Sequence, residues 1–474
     1  MLNPAEVGSD DWMLMRLLTK LGQGLPRMYR LRSYRDGEAI LPEEALGSDL
    51  REAYLRFARL NRLHVVELLR DARTSKQKIV GFRTAAPGDD DGDAEAWRLW
   101  RGSYMHSRQT ELFNDVADFG RAYLVTDMPH KGEQPRLRIA DDSTVAVETD
   151  SDRPWLVRAA VKVGYNPLTE CDEATFWRVD DSGRVIVRVA ARNVGEFSQI
   201  PADGSVWSPS PEWEWRHFGP GAVGMVLPFS SVPVKPVSTP SGVGVWERHL
   251  DTIDRINYTT LQLMQIVVTQ AFRQAAVSGD LPSTYPADDP DGRAGQLIDY
   301  SQIFRLGPAA LWRLPPDGKL QEFSPVDPRP IKELRDDDIR KLAAFSATPY
   351  YMLSSDSANN SAEGASLASD LLLSKIGDMN TAAEIGISQA VGLAFEAMGD
   401  SARADAAGIE CIWSPLKRSS LAEIGSAASQ AKAGGATQRW IDERVFGMTP
   451  LERAQAKADR ESEQMMAALG DAGA

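Results

Sequence analysis

Residues 256–272, INYTTLQLMQIVVTQAF, carry no charged side chain. Apolar and small positions recur there at helical spacing, with Ile253, Ile256, Thr260, Met264, Val267 and Ala271 on one stripe. Leu261, Leu263, Ile266, Val268 and Phe272 extend the apolar surface well round the cylinder. Asn257, Thr259, Gln262, Gln265, Thr269 and Gln270 interrupt the run, which is also short of the roughly 20 residues a bilayer-crossing helix needs. A helix apolar on more than one side needs neighbours on more than one side. Those neighbours are either the rest of a large core or adjacent copies of the chain, and the spacing does not choose between them.

The flanking sequence frames this helix, expected over 243–278. An insert at 279–327 is dense in turn formers, including Pro282, Pro286, Pro290, Gly292, Gly295, Gly307, Pro315, Pro316 and Gly318. Short apolar runs at 296–300 and 311–314 are expected as strands. A second helix is expected over 331–347, ending before Thr348-Pro349. The polar string YYMLSSDSANNS at 350–361 follows. Asn360 or Ser361 can cap the next helix, with Glu363 at its third position if Asn360 is the cap. That helix is expected to reach Met398, about 37 residues or about 55 Å. Gly364, Gly377, Gly386 and Gly392 mark places where it could bend.

The first 120 residues read mainly as helix, with segments at 50–60, 62–72 and 94–116 and a strand at 78–83. From 122 the pattern changes to short strands at 122–126, 137–139, 144–148, 156–163, 174–179 and 185–189. Asp180-Asp181-Ser182-Gly183 is a hairpin turn. Trp213-Glu214-Trp215 alternates as a half-exposed strand does. The proline-rich 228–240 reads as a linker. Beyond the long helix, 409–413 reads as a strand, with helices at 421–433 and 438–445. Thr449-Pro450-Leu451-Glu452 is a capping box that opens a charged helix to about 469.

The chain offers little for catalysis. Gly219, Gly221 and Gly224 match G-x-G-x-x-G, but Met225-Val226-Leu227-Pro228 follows and reads as a strand, so the helix that must receive a pyrophosphate is missing. No P-loop string occurs. The five histidines are scattered and the two cysteines, Cys171 and Cys411, are far apart, which fits neither a zinc site nor a disulfide framework. The acidic runs at 89–93 and 288–291 lack calcium-loop spacing, leaving solvated turns or a loosely held divalent ion at a subunit interface. Trp207, Trp213 and Trp215 alternate with acidic or small residues rather than with cations, which favours packing over base stacking. With 67 acidic against 53 basic residues the net charge is −14, which argues against a tight DNA binder. No secretory leader opens the sequence, and a reducing compartment is expected.

Several strings together resemble a known family. Gly244-Val245-Trp246-Glu247, the helix at 251–273, GPAALW at 307–312, Thr348-Pro349 and DSANNSAEG at 356–364 look like portal proteins of long-tailed double-stranded DNA phages, closest to the SPP1-type portals of actinobacterial phages. The resemblance spans about residues 53–466. It implies an α+β portal fold with wing, stem, clip and crown, assembled as a ring of twelve at one capsid vertex. The implied wing is 1–242, the stem helices 243–278 and 328–347, the clip 279–327 and the tunnel loop 348–361. A long wing helix at 362–408, a wing strand at 409–417 and a crown at 418–474 complete it.

The resemblance also implies a set of roles. Ser354, Ser355, Asp356, Ser357, Asn359, Asn360 and Ser361 would face the DNA channel. There short hydroxyls and amides make weak, sequence-blind contacts to phosphate, and Asp356 opposes tight holding. Ile256, Leu261, Met264, Val267, Val268 and Phe272 would pack between subunits in the stem. Implied partners are sister chains, the terminase large subunit, a head–tail adaptor, major capsid and scaffold proteins, and double-stranded DNA held weakly. No cofactor, metal, membrane or enzymatic activity is expected. The location is the virion, with assembly in the host cytoplasm. A DNA-processing enzyme of the packaging machinery and a non-viral ring-forming scaffold are the competing readings.

Overall fold

The computed structural model describes residues 6–39, 55–86, 92–127, 134–193, 213–217, 224–271, 275–278, 282–300, 319–322, 326–354, 362–417 and 421–471. The chain divides into two compact units. One comprises Met1–Ile40, His64–His249 and Ala343–Ala474, and the other Leu41–Leu63 and Leu250–Leu342.

The larger unit opens with α1 (Asp10–Arg35). Ser9 caps it by accepting from the Trp12 amide at 3.1 Å. Asp10 and Asp11 sit in its first turn, Arg32 and Arg35 in its last, in the sense the helix dipole favours. Leu14, Leu17, Leu18, Leu21 and Leu25 form its buried stripe. Then come α2 (Val65–Thr74), β1 (Ile79–Arg83), α3 (Ala94–Gly102) and α4 (Met105–Phe119). The single helix expected over 94–116 is in fact two, because Tyr104 takes a left-handed conformation (φ 57°) that no helix interior tolerates.

Strands β2 (Arg121–Asp127) to β10 follow: β3 (Arg136–Asp141), β4 (Val145–Thr149), β5 (Val157–Asn166), β6 (Cys171–Val179), β7 (Val185–Arg192), β8 (Glu214–Trp215), β9 (Met225–Leu227) and β10 (Val234–Ser238). Strands β4-β5-β6-β7-β8 form an antiparallel sheet, with β9 also paired to β7. Alternating side chains serve its two faces. Val161, Val163, Phe176 and Trp213 pack with the leucines of α1, while Val157, Trp177, Val185 and Leu227 join a second cluster with Val125, Val234 and Leu393. Gly183 (φ 80°) closes the β6–β7 hairpin, and the Asp180 carboxylate accepts from the amides of Ser182 and Arg184 at 2.9 and 2.8 Å. The 228–240 stretch is not a linker. Val234–Ser238 is a strand beside β2, in a sheet of order β10-β2-β3. Pro236 is tolerated because β10 lies at the sheet's edge.

The smaller unit contains α5 (Leu250–Ala271), β11 (Ala275–Ser278), β12 (Lys319–Glu322) and most of α6 (Arg329–Phe345). The helix expected over 243–278 is described over Leu250–Ala271. Its expected last turn is instead a strand, with Ala275 opposite Glu322 and Ser278 opposite Lys319. Of the strands expected in the insert, 296–300 contributes one bridge, Thr284 to Leu297, and 311–314 lies outside the described residues. Asp289 anchors a turn there by accepting from the Arg293 amide at 3.0 Å and its guanidinium at 3.1 Å.

The chain re-enters the larger unit at Ala343 and continues there with α7 (Ala362–Met398), β13 (Glu410–Trp413), α8 (Leu421–Ala433) and α9 (Pro450–Asp471). Helix α7 has the expected length of 37 residues. Strand β13 pairs with β1. The capping box forms as read: Thr449 Oγ1 accepts from the Glu452 amide at 3.2 Å, and Glu452 accepts from the Thr449 amide at 2.7 Å. The main core gathers Phe82, Trp100, Phe113, Leu124, Ile387, Val391 and Phe395.

Candidate functional site

Three places could carry function: the apolar face of α5, the corner that leads into the polar loop, and the C-terminal helices.

On α5, Ile253 (2 % exposed), Ile256 (0 %) and Leu261 (3 %) are buried within the single chain. The threonines beside them cost little, since Thr259 and Thr260 each donate to the carbonyl four residues back at 2.8 Å. Asn257 Oδ1 accepts from the Leu63 amide at 2.9 Å. Arg255 forks onto Asp338 of α6 through two bonds, 2.6 and 2.7 Å, a bidentate pair whose carboxylate is buried. Met264 and Val267 lie on the same stripe as Ile253 and Ile256 but are 36 % and 52 % exposed. The stripe therefore continues past the point where its cover ends. Of the six expected packing residues, Ile256 and Leu261 are covered within the protomer. Met264 and Val267 are open, and the side chains of Val268 and Phe272 lie outside those described.

The corner lies between α6 and the helical turn Tyr350–Leu353. Ala347 is left-handed (φ 52°), the Thr348 amide donates to Ala343 O at 2.9 Å, and Ser346 Oγ donates to Thr348 Oγ1 at 3.0 Å. Arg73, at the end of α2, reaches into this corner. It donates to Leu69 O at 2.8 Å, to Thr348 Oγ1 at 3.3 Å and to Ser346 O. Burial lowers its pKa from the usual guanidinium value to about 10. Nothing in the sequence marked Arg73, which looks like one more charged residue on an amphipathic helix. A cleft of about 390 Å³ opens beside the corner, lined by Phe345, Ala347, Lys375, Met379, Val243 and His249. Burial, then the charges of Arg73 and Arg248, push His249 below its ordinary value. Of the expected loop residues only Ser354 is described, its amide donating to Tyr350 O at 3.0 Å. Ser355, Asp356, Ser357, Asn359, Asn360 and Ser361 lie outside the described residues.

At the C-terminal end, α8 has no buried residue. Among the described side chains of α9 only Arg453 is buried. Pro450 fits against Gly81 and Gly92, where a Cβ would come within 2.8 and 2.6 Å of its ring. Glu443 accepts from Arg453 at 2.5 Å and from Arg83, and Asp442 accepts from Arg460 at 2.6 Å.

The last glycine of G-x-G-x-x-G runs into strand β9 rather than a helix. Among the described residues no group of three or more His, Cys, Asp or Glu could hold a metal, and no helix is long and apolar enough to cross a membrane. Both cysteines are buried and free. Trp213 and Trp215 are packed under the chain's own Arg192 and Arg188, at 4.8 and 3.8 Å from the ring centroids.

No family profile matches the chain. Among solved structures, it overlays a chain from the neck of a native gene transfer agent particle computed with C12 symmetry. The TM-score is 0.40 and the identity 12 %, covering 89 % of this chain and 98 % of that one. A chain from the virion of a native gene transfer agent gives 0.41 and 14 %, with the same coverage. In sequence, the portal protein of Mycobacterium phage L5 is 23 % identical over 395 residues, 81 % of this chain and 73 % of that protein. The portal protein of Mycobacterium phage D29 matches over 398 residues at the same identity and coverage. Over four-fifths of its length, the chain is thus similar to the portal proteins of two mycobacteriophages.

Proposed function

We propose that this chain is the portal protein of a long-tailed double-stranded DNA phage, of the SPP1 type. Twelve copies form a ring at one capsid vertex. The ring is the channel for DNA entry and exit, and it docks the terminase and later the head–tail adaptor. The observation that carries this reading is the similarity to two portal proteins over 81 % of the chain. The uncovered continuation of the α5 stripe at Met264 and Val267 supports it, because exposed apolar surface continuous with a buried stripe is what a sister chain would cover. On this reading 243–278 and 328–347 are the stem, 279–327 the clip, 348–361 the tunnel loop and 418–474 the crown. The protein is structural rather than enzymatic, and the motor supplies the energy. The virion is its location, after assembly in the host cytoplasm.

Light scattering and negative-stain microscopy of the purified protein test this directly. Rings with a central hole of at least duplex width are expected. A chain that stays monomeric at high concentration, or that hydrolyses ATP unaided, overturns the proposal. Deleting 355–359 is expected to leave rings intact and impair packaging or retention of DNA, and normal packaging by that variant removes the loop from the mechanism.

A further inference from the structure

Arg73 is a buried cation whose hydrogen bonds among the described residues go to two carbonyls and a hydroxyl rather than to a carboxylate. Burying a guanidinium without a counter-ion is expensive, so the dipoles that hold it must be well aimed. They come from two places. Leu69 O belongs to its own helix, while Ser346 O and Thr348 Oγ1 belong to the corner after α6. A planar fork suits this task, since it fixes two acceptors at once in a defined direction. The C-terminal end of a helix also favours a cation. The corner needs such a hold. Ala347 is a non-glycine residue in the left-handed region, where Cβ sterics disfavour it, and the cleft on its open side gives the backbone room to relax. Ser346 and Thr348 are both 3 % exposed, so water does not substitute for the lost donors.

We propose that Arg73 is a positioning residue for the segment after the corner. Its grip on Ser346 and Thr348 fixes the direction in which the chain leaves α6 toward Tyr350 and the polar loop. The consequence for DNA passage rests on the function proposed above, but the positioning itself does not.

The test uses the purified full chain with Thr348→Val, which deletes one acceptor at nearly constant shape, and Arg73→Met, which removes the charge. Chymotryptic cleavage after Tyr350 and Tyr351 reads the corner, and urea unfolding reads the whole. Cleavage is expected to rise about threefold in Thr348→Val and about tenfold in Arg73→Met, in each case by more than the fall in the urea midpoint accounts for. Arg73→Lys should fall between wild type and Arg73→Met, since an ammonium cannot fork. Cleavage at the wild-type rate in Thr348→Val, or cleavage that rises only in proportion to lost global stability, overturns the proposal. If Arg73→Met fails to fold, Thr348→Val decides by comparison with Ser346→Ala, which removes the Ser346 Oγ–Thr348 bond but keeps both Arg73 acceptors, and equal cleavage in the two overturns the proposal. Raised cleavage with normal DNA packaging upholds the positioning role and refutes the DNA role of the loop, so the two readings fail separately.

Discussion

Helices α7 and α9 are both long, and the chain treats them in opposite ways. Helix α7 is threaded through the core of the larger unit. Ile376, Ala383, Ile387, Ala390, Val391, Ala394 and Phe395 are at most 1 % exposed, and small residues let its backbone close on its neighbours. A Cβ on Gly386 would lie 2.1 Å from Pro236 O of β10, and one on Gly392 would lie 2.8 Å from Ala404 O. These glycines therefore serve close approach. Helix α9 is held at one end, by Pro450 in its glycine notch and by the Arg83–Glu443–Arg453 network, and exposes Leu451, Met465 and Met466. One helix is fixed by shape from 376 to 395, the other by a proline notch and an ion-pair network at its root.

Four substitutions break or sharpen that contrast. Ile387→Ala, at a site with no exposure, should cost about 3–4 kcal/mol in urea unfolding, and a loss under 1 kcal/mol would mean α7 is not tightly packed there. Gly386→Ala should cost about 2–3 kcal/mol, because the obstacle is a strand carbonyl rather than a flexible side chain. Its neutrality would show that β10 can move aside.

Glu443→Gln should cost about 1–2 kcal/mol and expose α9 to proteases while leaving the core intact. Burial opposes ionisation of Glu443, but hydrogen bonds and charge from Arg83 and Arg453 outweigh it and hold the carboxyl below its usual 4.5. A depressed carboxylate stabilises fully above the unfolded value and loses that contribution as pH falls through the folded value. The α9 root should therefore loosen only below about pH 4.5, and the Gln variant should lack that acid-side step in a protease–pH series. Leu451→Ser, on the open face, should stay within about 0.5 kcal/mol of wild type. A larger loss in the isolated protomer would show that this face is already covered.

Much of the local structure was legible. The span of α7 and the Thr449–Glu452 capping box follow from helix periodicity and cap chemistry, which act over a few residues. The segments that misled were those where local preference opposes a distant partner. Alanines at 275 and 276 favour a helix by only a few tenths of a kcal/mol per residue, and pairing with 320–322 overrides that. Prolines at 228–240 signal a linker, yet an edge strand also accepts them.

The sequence by itself determined the length of α7, the Thr449–Glu452 cap and the turn at 180–183, because periodicity, capping and turn chemistry act within a few residues. Only the tertiary structure decided that Ile256 and Leu261 are covered while Met264 and Val267 are not, and that Arg73 grips a corner 275 residues away. Burial and hydrogen-bond partnership depend on what the fold brings alongside, and no local pattern encodes the neighbour.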